Sequence, residues 1–143
     1  MANRPTLFVD RSLGKRVGIR LREKGATVEL HDEHFAQTTP DSVWIPNVTA
    51  RGWVILTKDK NIRRPKGERE DVLTAAAKVF TLTSGNVSGA VMADIFIEHL
   101  VRIENTATSQ TPPFVYAVGP GIFLQILPPP TSQPTEEPAS TDQ

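Results

Sequence analysis

Three aspartates, Asp10, Asp41 and Asp59, stand at element boundaries where an α/β fold would gather them. Asp10 closes the apolar run Leu7-Phe8-Val9, and Asp59 follows Trp53-Val54-Ile55-Leu56 with Thr57 and Lys58 between. Asp41 lies just behind Pro40 at what reads as a helix start. In a parallel sheet the carboxyl ends of the strands share one edge, and ligands bind there. Clustered carboxylates repel unless a divalent cation neutralises them, and Mg²⁺ or Mn²⁺ takes such oxygen ligands. That combination points to metal-assisted hydrolysis of a phosphodiester. The alternative for each aspartate is ordinary: an N-cap at Asp10, a first-turn helix charge at Asp41, a turn residue at Asp59.

Other chemistries lack their residues. There is no cysteine, so disulfides and thiolate metal sites are excluded. No serine sits in a Gly-x-Ser-x-Gly elbow, and no Gly-rich loop with Lys and Ser/Thr cradles a phosphate. His31-Asp32-Glu33-His34 suggests zinc, but further ligands at recognisable spacing are missing, and a polar loop is the better reading. Asp32 and Glu33 remain candidates for auxiliary acids. Lys58-Asp59-Lys60-Asn61-Ile62-Arg63-Arg64-Pro65-Lys66 surrounds the third aspartate with five positive side chains. It reads either as a phosphate-binding rim, with Lys58, Lys60 and Arg63 foremost, or as a solvated basic loop.

The elements that must position these residues follow from periodicity. Residues 6 to 9 form a short buried strand. Residues 12 to 24 form a helix, with Leu13, Val17 and Leu21 on one face, Gly14 and Gly18 permitting close approach to a sheet, and Gly25 as C-cap. Residues 26 to 30 form a second strand, and this β-α-β opening implies parallel pairing. A polar loop runs from His31 to Thr39. Thr39 then caps a helix with Pro40 in its first position and Asp41 in its first turn, where the dipole favours an anion. Pro46 must kink or restart that helix, and Gly52 ends it.

Residues 53 to 57 form the third strand, 68 to 78 a helix, 79 to 83 the fourth strand, and 84 to 86 a turn. The longest helix spans 88 to 104, with Val91, Ile95, His99 and Arg102 or Ile103 at helical spacing. His99 reads as an interface or partly buried residue, and Trp44 and Trp53 as core or core-edge anchors. Residues 114 to 118 and 122 to 127 pair as a hairpin, with Pro120 making the connection a loop rather than a two-residue turn.

The 143 residues fit one domain, with 38% apolar and 22% charged content typical of globular proteins. Apolar runs fall short of the roughly 18–20 residues that span a bilayer, and the N-terminus has no signal-like apolar core, so a cytoplasmic setting is expected. Net charge is formally zero. Beyond residue 127 the chain is rich in Pro, Ser, Thr and Gln, with Glu136, Glu137 and Asp142 and no basic residue. Removing those three acids leaves 16 basic against 13 acidic side chains, which permits a local basic patch but not strong non-specific nucleic-acid binding. Residues 1–127 are therefore the domain, and 128–143 a disordered tail.

Together Phe8-Val9-Asp10-Arg11-Ser12-Leu13-Gly14, Thr39-Pro40-Asp41-Ser42-Val43-Trp44 and Leu56-Thr57-Lys58-Asp59-Lys60-Asn61 resemble the PIN-like nuclease family. The likeness is greatest to the small VapC-type toxins of bacterial toxin–antitoxin pairs, and covers about residues 6 to 125. It implies a three-layer α/β/α sandwich with a central, mainly parallel sheet, and a Mg²⁺- or Mn²⁺-dependent ribonuclease. Asp10 would match the first-strand acid, Asp41 the acid of the following helical region, and Asp59 the acid of the Thr-x-Asp motif. Many members carry a fourth acid; here the matching places offer Asn61, or Thr83, Ser84 and Asn86.

The expectation is an RNA-cleaving toxin held by an antitoxin protein, with a homodimer also open. Asp10, Asp41 and Asp59 hold the metal, Lys58, Lys60 and Arg63 steer phosphates, and Ser12 or Asn61 orients water or substrate. Two rivals remain. One is a weakly active or inactive module that keeps the fold and binds RNA or protein. The other is a receiver-like signalling domain, which wants an adjacent acidic pair at the first strand and a lysine after a later one. Phe8-Val9-Asp10 offers one acid, and Val79-Phe80-Thr81-Leu82-Thr83 is not followed by lysine.

Overall fold

Strands that are apolar on both faces belong in the middle of a sheet covered on both sides. The computed structural model, which describes residues 4–58, 68–83 and 87–128, places them there. Among the described residues, six strands lie in the order β2-β1-β3-β4-β5-β6. The interior ones, β1 (Thr6–Val9), β3 (Val54–Thr57), β4 (Lys78–Leu82) and β5 (Phe114–Gly119), are buried nearly throughout. The edge strands, β2 (Thr27–Leu30) and β6 (Ile122–Leu127), alternate. All pairs are parallel except β5–β6.

Among the described residues, five α-helices cover the sheet: α1 (Lys15–Glu23), α2 (Asp41–Ala50), α3 (Glu68–Ala75), α4 (Gly89–Glu98) and α5 (Leu100–Ser109). From β1 the chain steps one way to β2 through α1, then the other way to β3 through α2. Right-handed crossovers in opposite directions put their helices on opposite faces. Accordingly Leu7, Val9, Val28 and Leu30 join one core with α1, α4 and α5, while Phe8, Ile55, Val79 and Val115 join the other with α2. This is the three-layer arrangement expected, and the strand order reverses between β1 and β3.

Local differences have physical causes. The helix expected over 12–24 is split: a 3-10 turn spans Arg11–Leu13, and α1 starts at Lys15 because Gly14, at φ 79°, is not helical. Close approach to the sheet is the role of Gly18 alone, where a Cβ would run into the Leu30 side chain; a Cβ on Gly14 would meet open space. Pro40, not Thr39, caps α2, so Asp41 is its first residue. The helix continues through Pro46, whose missing N–H removes one bond while Trp44, Ile45 and Val48 stay buried.

The helix expected over 88–104 is two, broken at His99. The His99 Nε2 lies 2.9 Å from the Gly119 carbonyl, and α5 then runs on to Ser109. Gly119 pairs with Ile122, so Pro120-Gly121 is a two-residue turn after all. Gly121 at φ 66° suits the position after a proline in a type II turn. The expected 84–86 turn lies outside the described residues, as do residues 129–143 of the expected tail.

Candidate active site

Parallel strands end together, and the point where strand order reverses leaves a crevice between two of them. Here that crevice lies between the carboxyl ends of β1 and β3. Asp10 is the residue after β1, and its backbone N–H donates to the Leu56 carbonyl of β3 at 3.0 Å. Alternation along β1 sends Phe8 and then Asp10 toward the α2 face, and along β3 sends Ile55 and then Thr57 the same way. The two polar side chains therefore meet. Thr57 Oγ1 donates to Asp10 Oδ2 at 2.7 Å, and Ser12 Oγ donates to the same oxygen at 2.9 Å. Ser12 Oγ in turn accepts the Lys58 backbone N–H at 3.3 Å.

Thr57 is fully buried, and so is Thr81, which stands opposite it on β4. Two hydroxyls on one oxygen fix the carboxylate's orientation. Among the described residues, no hydrogen bond occupies Oδ1. Such a carboxylate is fitted to ligate a hard cation, with its supporting shell already in place.

Asp41 reaches the same edge by topology, since a crossover helix runs back over the sheet and begins above the strand ends. Its Oδ1 accepts the indole N–H of Trp44 at 2.7 Å. Trp44 is buried against Phe8, with ring centres 5.3 Å apart, and edge-on to His31 at 5.7 Å. Asp41 is thus tied to the layer directly beneath Asp10. Asp59, Lys60, Asn61 and Arg63 lie outside the described residues. Lys58 contributes its backbone N–H to the Ser12 hydroxyl, and Ser12 itself holds Asp10.

Beside Asp10 a cavity of about 170 Å³ opens, bounded by Val9, Arg11, Gly14, Lys15, Leu30, His31, Asp32 and Gln37. The expected polar loop after β2 is in fact a 3-10 turn, His31–Glu33, with His31 3% exposed. The alternation Val28, Leu30 on one face and Glu29, His31 on the other carries the imidazole under α2, among Phe8, Phe35 and Trp44. Asp32 reaches the Asp10 cavity, as an auxiliary acid would. Glu33 does not join it; it accepts the Leu30 backbone N–H at 2.9 Å and Arg22 at 3.1 Å, which holds its carboxyl below the usual range.

Glu29, Glu33 and His34 bring possible ligand atoms within 4.8 Å of one another on the β2 edge. Each is otherwise engaged. His34 Nε2 lies 2.6 Å from Glu29 Oε1, Arg51 reaches His34 Nδ1 at 3.5 Å, and Arg22 pairs with Glu33. Two guanidinium groups beside the cluster disfavour a cation there.

Two residues of this region escape a reading by motif alone. Thr57 is visible only through strand alternation, which puts it on the Asp10 face. His31 is hidden by its polar neighbours, although the same alternation on β2 points it inward.

No helix among the described residues is long and apolar enough to cross a membrane. No solved structure matches the chain. It is 33% identical over 132 residues to a protein of Mycobacterium tuberculosis (strain ATCC 25618 / H37Rv) named "Putative ribonuclease VapC45", covering 89% of this chain and 95% of that one. Residues 5–84 match the PIN like domain family, a span that takes in all three aspartates and more than half of the sequence. The sheet order, the acid at the β1–β3 crevice and this match agree: the chain belongs to the PIN-like domain family.

Proposed function

We propose that this protein is a divalent-metal-dependent endoribonuclease that hydrolyses RNA phosphodiester bonds, acting as the toxin of a bacterial type II toxin–antitoxin pair. The observation that carries the reading is Asp10, held by Thr57 and Ser12 at the β1–β3 crevice of a PIN-like chain. The relative's name describes a ribonuclease, and the likeness runs through nearly the whole of both chains. Asp10, Asp41 and Asp59 are the proposed ligands, an all-oxygen set suited to Mg²⁺ or Mn²⁺. Such an ion, when bound, polarises the phosphate and lowers the pKa of a water.

The chain's own residues do the rest. Thr57 and Ser12 aim the Asp10 carboxylate, and the Trp44 indole N–H holds the Asp41 carboxylate in place at the start of α2. Lys58, Lys60 and Arg63 are proposed to attract phosphates, and Asn61 to orient water or substrate. An antitoxin protein as partner, a cytoplasmic setting and a domain confined to 1–127 belong to the same reading. Homodimerisation, also open, is decided by light scattering.

The deciding experiment is cleavage of single-stranded RNA by purified protein with Mn²⁺, against Asp10→Asn. The variant should lose on the order of a hundredfold or more of activity, since a ligand that positions metal and water is gone. It should fold at least as stably without metal, because one of several repelling charges is removed. RNA binding without cleavage by the wild type would put a binding module in the nuclease's place.

A further inference from the structure

The cavity beside Asp10 has a side that the hydrolytic chemistry leaves unused. Its wall away from β3 includes Arg11, Gly14, Lys15, His31 and Asp32. There α1 begins on Gly14, which offers no side chain to cap it, and its first turn holds no acidic residue. The leading amides of this nine-residue helix therefore turn a partial positive charge toward the cavity with no side-chain acceptor. Lys15, exposed on the same turn, adds a full one.

An independent observation comes from His31 in the same wall. His31 is 97% withdrawn from solvent, being 3% exposed, yet its buried Nδ1 has no hydrogen-bond partner. Asp32 Oδ1, at 3.6 Å, is too far to supply one. A buried ring nitrogen left unpaired beside a polar cavity needs an explanation, and an absent ligand provides it.

We propose that this part of the cavity is a subsite for an RNA backbone phosphate neighbouring the one that is cut. The inference rests on the ribonuclease reading for the identity of the ligand, but not for the binding itself. The phosphate oxygens accept from the first amides of α1, from Lys15 and from Nδ1–H of His31. The remaining charges are balanced. Arg11 lies 3.8 Å from Asp32 and offsets it, and Asp10 is offset by the cation it is proposed to hold. Phosphate affinity should therefore rise when Mg²⁺ is present.

Two measurements test this on the full chain. In the first, inorganic phosphate is titrated with Mg²⁺ while the backbone amide resonances of Gly14, Lys15 and Arg16 are followed. Saturable shifts there support the subsite, and unmoved resonances overturn it. In the second, binding of a labelled ten-nucleotide RNA is measured by anisotropy in EDTA, where no cleavage occurs. Lys15→Glu should weaken binding about tenfold and flatten its salt dependence by about one charge. His31→Phe, which keeps the ring among its aromatic neighbours, should weaken it several-fold. Should His31→Phe not fold, the surface variant still decides.

Phosphate shifts with unchanged RNA affinity in Lys15→Glu would make a free anion the occupant and overturn the RNA assignment. Wild-type binding and cleavage by Lys15→Glu overturns the subsite and leaves the nuclease intact. RNA held at this wall but never cut with Mg²⁺ or Mn²⁺ does the reverse.

Discussion

Thr57 Oγ1 donates a 2.7 Å hydrogen bond to Oδ2 of Asp10, joining residues 47 apart in sequence across the mouth of the sheet. The bond is made from a fully buried hydroxyl, so its geometry is fixed by β3 rather than by a mobile side chain. It makes Thr57 a positioning residue for the proposed metal ligand. Removing such a supporting partner typically costs ten- to a hundredfold in metal affinity or activity. Thr57→Val keeps the volume and loses the donor; it should show that loss, with about 1 kcal/mol of stability. Thr57→Ser, which keeps the hydroxyl, should recover most of it. Unchanged Mn²⁺ affinity in Thr57→Val, read by calorimetry, would show that the bond is structural only.

The sheet was legible in the sequence because burial on both faces leaves a plain mark. Leu7-Phe8-Val9 and Val54-Ile55-Leu56 are unbroken apolar runs, and only interior parallel strands need them. Asp10 and Asp41 were legible as candidates because they sit at the ends of such elements. What was not legible depends on contacts between distant segments. The break between α4 and α5 is marked by His99 reaching the Gly119 carbonyl, twenty residues on, and no local pattern announces it. His31 lies within a run of charged and polar residues, so its burial follows from the pleat of β2 and the aromatic layer beneath α2, not from its neighbours. Gly14 read as a packing glycine in a helix face, whereas its positive φ is what separates the 3-10 turn from α1.

A pH dependence follows from Glu33. Its carboxyl is held below the ordinary range chiefly by the Leu30 backbone N–H, which burial opposes and the Arg22 guanidinium reinforces. A carboxyl depressed in the folded state contributes stability above its unfolded pKa of about 4.3. That contribution is lost as pH falls through the lower folded value. Because the side chain is 43% exposed, solvent screens the effect and the increment is small. Glu33→Gln keeps an acceptor for Leu30 but cannot titrate. Its melting temperature should therefore fall less steeply than that of the wild type as pH is lowered below about 4.3. Parallel acid limbs in the two melting profiles would remove Glu33 from the account.

Asp41 separates two roles that one substitution would confuse. Its Oδ1 accepts the indole N–H of Trp44, whose ring is almost wholly buried against Phe8 and His31. Asp41→Ala leaves that donor without its partner at a buried position, which costs about 1–3 kcal/mol. Asp41→Asn keeps a carbonyl oxygen for the indole but loses the charge that a metal ion and the α2 dipole both favour. The two variants should thus differ in stability while agreeing in function. Asp41→Ala should melt well below the wild type, and Asp41→Asn within about 1 kcal/mol of it. Both should bind Mn²⁺ more weakly and lose most RNA cleavage if Asp41 is a ligand. Were Asp41 only a helix-start charge, Asp41→Asn would cut RNA and take up Mn²⁺ like the wild type. Melts in chelator, set beside Mn²⁺ titrations of the three proteins, read the two roles independently.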